Sequence, residues 1–189
     1  TRRSSDLKKE QWNVYGQFTW ISSFKLPFAA PYTNLNGSTQ SLRPDFEHSF
    51  TGSFTVYLAA ALWRGAEVYF VPEVVSNQAL SGLYGLGGVI QNFELQKQGS
   101  QLPTLYSSRL LFRQTFDLGG ERVVKTSEPM QLGTVVRSRR LVLTIGNFSL
   151  LDFFDKNSFA SDLRRQFFNM AFLTYAAYDF AADARGYTW

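Results

Sequence analysis

Seven side chains have the types and spacing to do work together. Glu67, Arg109, Arg113 and Arg140 fall on the polar sides of alternating segments, Tyr57 and Tyr69 sit near segment ends, and Glu73 follows Pro72. Opposite charges across a sheet can pair into a ladder that stiffens it, so an ion pair of Arg109 or Arg113 with Glu67 or Asp117 is one expectation. The same groups facing water would set an electric field and offer hydrogen bonds. Glu67 with Glu73 could form a two-carboxylate hydrolytic pair only if their carboxyls came within about 5 Å. Asp152 and Asp155 match no calcium-loop spacing, and a turn or capping role is expected instead.

Other chemistries have little to draw on. The 189 residues hold no cysteine and one histidine, His48. Disulfides, thiol nucleophiles and Cys-based zinc sites are therefore excluded, and neither a metal site nor a cofactor is expected. The glycines at 85–88 lack the strand-to-helix setting of a dinucleotide loop. A net charge of +4, from 19 basic and 15 acidic residues, is too small and scattered to argue for nucleic acid. An enzyme is not expected.

The elements that must carry these residues are strands. Trp12, Val14, Gly16, Phe18 and Trp20 alternate with polar neighbours over 12–22. Over 49–63, Phe50, Gly52, Phe54, Val56, Leu58, Ala60 and Leu62 form one apolar face, and Ser49, Thr51, Ser53, Thr55, Tyr57 and Ala59 the other. Period-two patterning predicts β-structure. Arg64-Gly65 predicts a tight turn into a returning strand at 66–71. Further strands are expected at 105–117, with Tyr106, Leu110, Phe112 and Phe116 opposite Ser107, Arg109, Arg113 and Thr115, and at 139–148 and 169–180. Segment 23–48, including His48, reads as a long loop, and 72–103 mainly as loop with room for a short helix or strand inside. Leu118-Gly119-Gly120 reads as a tight turn with a strand continuing beyond it. The polar residues 1–11 are expected to be a flexible segment ahead of a strand region at 12–189.

The run at 49–63 is far longer than the globular norm of about 5–6 residues, whereas a tilted membrane strand needs about 9–11 in lipid. No apolar run reaches the roughly 18 residues of a membrane helix. The first residues lack a signal-peptide core, which predicts either no export or a mature or trimmed chain. Two architectures suit the alternation: a soluble sandwich or lipocalin-like barrel binding a small apolar ligand or glycan, or a membrane barrel. Strand length, a wet-looking opposite face, and Trp12, Trp20, Tyr57, Trp63 and Tyr69 near strand ends, where an interfacial aromatic belt would lie, favour the membrane barrel.

Four pieces then carry a resemblance. They are Ala66-Glu67-Val68-Tyr69-Phe70-Val71-Pro72-Glu73; the run 109–121 (Arg-Leu-Leu-Phe-Arg-Gln-Thr-Phe-Asp-Leu-Gly-Gly-Glu); 140–149 followed by 152–157; and 164–169 through 179–189. In order, they resemble carbohydrate-selective porins of the OprB type, over nearly all of the chain from Trp12. The resemblance implies an all-β, antiparallel transmembrane β-barrel of about sixteen strands with long loops, of which six strands here are too few to close, since about eight are needed. It implies an N-terminal portion, or one chain of a split barrel, whose remaining strands come from the rest of the protein or another chain. It further implies passive entry of monosaccharides or small oligosaccharides to the periplasm of a Gram-negative bacterium. Outer-membrane lipid would surround the barrel, and a homo-oligomer is suggested only by analogy with general porins. Glu67, Glu73, Arg109, Arg113, Arg140, Tyr57 and Tyr69 would line the pore, and segment 72–103 could fold inward to narrow it.

Overall fold

The computed structural model describes residues 9–34, 40–96, 101–149, 152–153, 158–160, 162–169 and 172. They form one antiparallel sheet in the order β1-β2-β3-β4-β5. The strands are β1 (Trp12–Lys25), β2 (Glu47–Trp63), β3 (Ala66–Gln78), β4 (Thr104–Lys125) and β5 (Thr134–Asn147). Each neighbours the next in sequence, which is the up-and-down connectivity of a meander. Lengths of 13 to 22 residues exceed what a bilayer crossing requires. Among the described residues, the outer edges of β1 and β5 pair with no other strand. The strand expected at 169–180 lies almost wholly outside the described residues. Among the described residues no helix is long and apolar enough to cross a membrane, which says nothing of a barrel.

The register places like with like. Val14 pairs with Leu58, Phe18 with Phe54 and Trp20 with Gly52 on one face, and Asn13 with Ala59 and Gln17 with Thr55 on the other. Gly52 is where a side chain would collide with the Trp20 ring. Its absence lets the indole lie across the strand and stack on Phe50, centroids 4.8 Å apart and nearly parallel. His48 belongs to this outward face rather than to a loop: it is a β2 residue stacked between Phe24 and Phe50.

Burial is inverted relative to a water-soluble sheet. The polar face of β2 is the hidden one, with Ser49, Thr51, Ser53 and Thr55 all buried. The apolar face is open: Phe54, Leu58 and Leu62 are exposed, as are Trp12, Val14, Phe18, Leu110, Leu141, Leu143 and Ile145 on neighbouring strands, while Phe50 and Val56 are half-exposed. In water such a face is unfavourable by roughly 25 cal/mol per Å² of apolar surface. Hydrocarbon removes that penalty, and the ladders leave few backbone groups unpaired within the sheet.

Segment 72–103 holds the strand and short helical turns its reading left room for: β3 continues through Pro72 to Gln78, with a register shift at Val71/Pro72 where proline's missing N–H costs no ladder bond. Other expectations are corrected. That shift puts an extra residue into β4 between Ser107 and Arg109, which reverses the alternation and turns Tyr106 to the polar face, opposite Glu73. Finally, Leu118-Gly119-Gly120 is not a turn. β4 runs through it to Lys125, and the reversal comes at residues 126–133. Gly119 and Gly120, at φ +103° and +88°, instead form bulges that bend the strand pair. Of the expected belt aromatics, Trp12, Trp20 and Trp63 face outward, but Tyr57 and Tyr69 belong to the hidden face, because odd positions of β2 up to Ala61 and of β3 point inward, and the register shift between Ala61 and Trp63 turns Trp63 the other way.

Candidate pore-lining site

The inward face of β3 carries Glu67, Tyr69, Val71, Glu73, Val75 and Asn77 in strict alternation, all buried. Glu67 and Glu73 lie six residues apart, about 20 Å along a strand, so they cannot act as a retaining carboxylate pair. Each is instead the centre of its own cluster.

Around Glu67, Tyr69 donates its hydroxyl to the carboxylate at 2.7 Å, and the Arg113 guanidinium lies 3.8 Å away. Arg113 also stands over the Tyr69 ring, 4.8 Å from its centroid, and donates to the Tyr69 oxygen and the Met130 carbonyl at 3.3 Å each. The register explains the meeting: Glu67 pairs directly with Arg113 across the ladder.

Around Glu73 the partners come from farther away. Thr55 donates its hydroxyl at 2.5 Å, Tyr106 donates from β4, and Arg164 donates at 2.5 Å from a segment 91 residues later. Arg164 also donates to Thr55 Oγ1 at 2.6 Å and to Glu94 at 3.1 Å. Burial by itself would push the Arg164 guanidinium down, yet Glu94 and then Glu73 beside it hold it above its ordinary range. Arg164 and Glu94 thus bring two segments, 79–96 and 162–169, onto the inward face. Asn92 ties the two together, donating to the Leu163 carbonyl at 2.9 Å and bridging to Asn169. Glu47 secures the start of the first segment, accepting from the Ser81 amide and hydroxyl at 2.7 Å each. Leu80 and Gln91 close it through an amide-to-backbone bond of 2.8 Å.

Arg109 makes a two-pronged ion pair with Asp152, at 2.6 and 2.5 Å. Its partner is therefore neither Glu67 nor Asp117. Asp117 is bonded at the Arg137 amide and lies 3.9 Å from Arg64. Asp152 also accepts from the Ser149 amide, the expected turn role, while Asp155 lies outside the described residues. Tyr57 donates to Gln17 at 3.3 Å. Arg140 stands apart from both clusters and donates to the Arg137 carbonyl at 2.9 Å.

The seven expected residues therefore divide by access. Glu67, Tyr69 and Glu73 are buried, whereas Tyr57, Arg109, Arg113 and Arg140 are half-buried. Arg164 and Glu94 are not among the seven. Their signal in the sequence is a charge amid aromatic residues in a segment with no alternation, which shows no partner until the chain is folded.

An antiparallel sheet that turns hydrocarbon outward and bonded charge inward is wall of a membrane β-barrel. A profile of the carbohydrate-selective porin, OprB family, matches residues 39–189, and the chain belongs to that family. The match begins beyond β1, so the resemblance read from Trp12 onward is supported from residue 39. No curated protein and no solved structure matches the chain.

Proposed function

We propose that the chain forms part of the wall of an outer-membrane channel through which sugars diffuse passively into the periplasm of a Gram-negative bacterium. The observation that carries this reading is the inverted burial: Phe54, Leu58 and Leu62 lie open while Thr55 and Glu73 between and beside them are hidden. Passage needs no chemical step, only a lining that replaces water's hydrogen bonds weakly enough for release. Tyr57, Arg109, Arg113 and Arg140 are the wall groups that reach water, and arginine can bridge vicinal hydroxyls while tyrosine stacks on a pyranose. Glu67, Tyr69 and Glu73 act beneath them, orienting Arg113 and anchoring the inward segments. Further strands complete the barrel of about sixteen, and outer-membrane lipid covers the apolar face. The open apolar face argues against a soluble binding module, which would have to hide it.

The test is swelling of liposomes holding the complete barrel, with sugars of graded size. Size-dependent swelling is expected, and none at all would remove the function. Arg109→Ala and Arg113→Ala should each shift ion selectivity in planar bilayers. Unchanged selectivity would make both residues structural only.

A further inference from the structure

The β4–β5 hairpin beyond Asp117 and Arg140 does not continue the wall. Its ladder shifts register at Asp117/Gly119 and again at Gly119/Arg122, and the two positive-φ glycines bend it. A side chain at Gly120 would collide with the Ser138 hydroxyl, so the bend is built for glycine. The tip then returns across the inward face. Leu132 is fully buried in a cluster with Ala59, Tyr69 and Leu111, which come from β2, β3 and β4. Arg113 donates to the Met130 carbonyl. On β1, Asn13 donates to Ser127 at 3.1 Å and to the Gln131 carbonyl at 3.0 Å, and Tyr15 donates to Ser127 at 2.8 Å. Just before β1, Glu10 and Gly133 exchange two bonds, at 2.9 and 2.7 Å. Residues 127–133 thus touch all of β1 to β4 at the end of the sheet that holds the Arg64-Gly65 turn.

We propose that this hairpin is a floor folded across the lumen at the tight-turn mouth, and that it limits the size of sugar that passes. This rests on the channel reading above. It is separate from the Arg164 cluster, which secures other segments through Glu73 and Glu94. The apolar seat of Leu132 and the neutral bonds of Asn13, Tyr15 and Ser127 hold the floor to the wall, so it behaves as fixed structure. Its effect on passage is steric.

Asp117 and Arg140 are direct partners in the ladder, so a two-residue Asn-Gly turn can join them in place of residues 118–139. In the complete barrel this trimmed variant should show higher single-channel conductance and admit larger sugars than the wild type. Leu132→Asp, which puts a carboxylate into the apolar seat, should shift both in the same direction. Placement is read independently of transport. The chain has no cysteine, so Asn13→Cys with Ser127→Cys should oxidise to a cross-link in the membrane-inserted protein. The ladder pair Asn13→Cys with Ala59→Cys is the positive control. A control that oxidises while the Asn13–Ser127 pair stays reduced overturns the floor. So does a conducting wild type whose conductance and size limit survive both the trim and Leu132→Asp. A wild type that carries no current defeats the channel reading, and the floor's role in passage falls with it even if the cross-link forms. Should the trimmed variant fail to insert, Leu132→Asp and the cross-link decide.

Discussion

Phe54 and Thr55 are consecutive in β2, yet one is 49% exposed and the other 1%. In a protein that folds in water the assignment would run the other way. Here the two faces of one sheet are matched to different solvents, and they are held by different forces. The outward face has apolar and aromatic contacts whose worth depends on hydrocarbon around them. The inward face has hydrogen bonds and ion pairs whose worth comes from low dielectric and from the pairing of its buried charges, Glu67 with Arg113 and Glu73 and Glu94 with Arg164. The lesson is that β-alternation alone does not say which face is core. The chemistry of the hidden side does: a core of Ser, Thr, Glu and Arg is tolerable only as a bonded network, and that is what surrounds Glu67 and Glu73 on β3.

The largest effect is expected at the buried charges. Arg164 and Glu73 are 9% and 2% exposed. Removing the cation leaves Glu73 and Glu94 facing one another, and breaking such a pair costs about 3–5 kcal/mol. Arg164→Ala should therefore release segments 79–96 and 162–169, seen as lost hydrogen-exchange protection at the Leu80 and Glu94 amides. Adding Glu94→Gln should restore part of it. Protection that survives Arg164→Ala would mean that these segments are held by something other than charge. The outward face should respond less, and in proportion to depth. Phe54→Arg should destabilise the barrel in lipid vesicles by about 2–4 kcal/mol if Phe54 lies near the bilayer centre, against about 0–1 for Leu62→Arg beside the turn. Equal costs at the two positions would break the assignment of this face to hydrocarbon.

Much of the wall was legible from residues alone, because period-two patterning maps directly onto a pleated sheet. The strands at 12–22, 49–63 and 139–148 and the Arg64-Gly65 hairpin appear where alternation puts them. What alternation missed has a local cause in each case. Proline at 72 suggested a stop, but an edge-like register shift lets β3 pass through it. The shift's extra residue in β4 then reverses Tyr106. The Gly-Gly pair at 119–120 is equally suited to a turn and to a bulge, and only the partner strand decides between them. The Arg113–Glu67 contact follows from neighbouring strands and was open to prediction. The Arg164–Glu73 contact joins positions 91 residues apart through a segment without periodicity, so nothing in local spacing could announce it. Arg109 illustrates the same limit, since its partner Asp152 comes from beyond β5 rather than from the ladder.

The smallest effect expected is a pH response at the hairpin's tether to β1, where a carboxylate takes part in the contact. Glu10 precedes β1 and accepts from the Gly133 amide. That backbone bond, opposed by some desolvation and helped by Ser127 and Asn13, holds its carboxyl below the ordinary 4.5. A depressed carboxylate contributes stability in full above its unfolded value. The contribution is lost as pH falls through the lower, folded value, where both states are protonated. The tether between β1 and residues 127–133 should therefore be constant near neutrality and weaken only in acid, with a small amplitude because Glu10 is only half-buried and solvent screens it. Exchange protection of the Gly133 amide, corrected for intrinsic rates, should show this acid loss. Glu10→Gln should remove the pH dependence while leaving the Phe18 and Phe54 amides of the wall unchanged. If the wild type and Glu10→Gln lose protection in parallel, another group governs the hairpin's hold on β1. The neutral bonds of Asn13 and Tyr15 to Ser127 and the apolar seat of Leu132 cannot supply such a response, so the search would turn to the remaining inward-facing carboxylates.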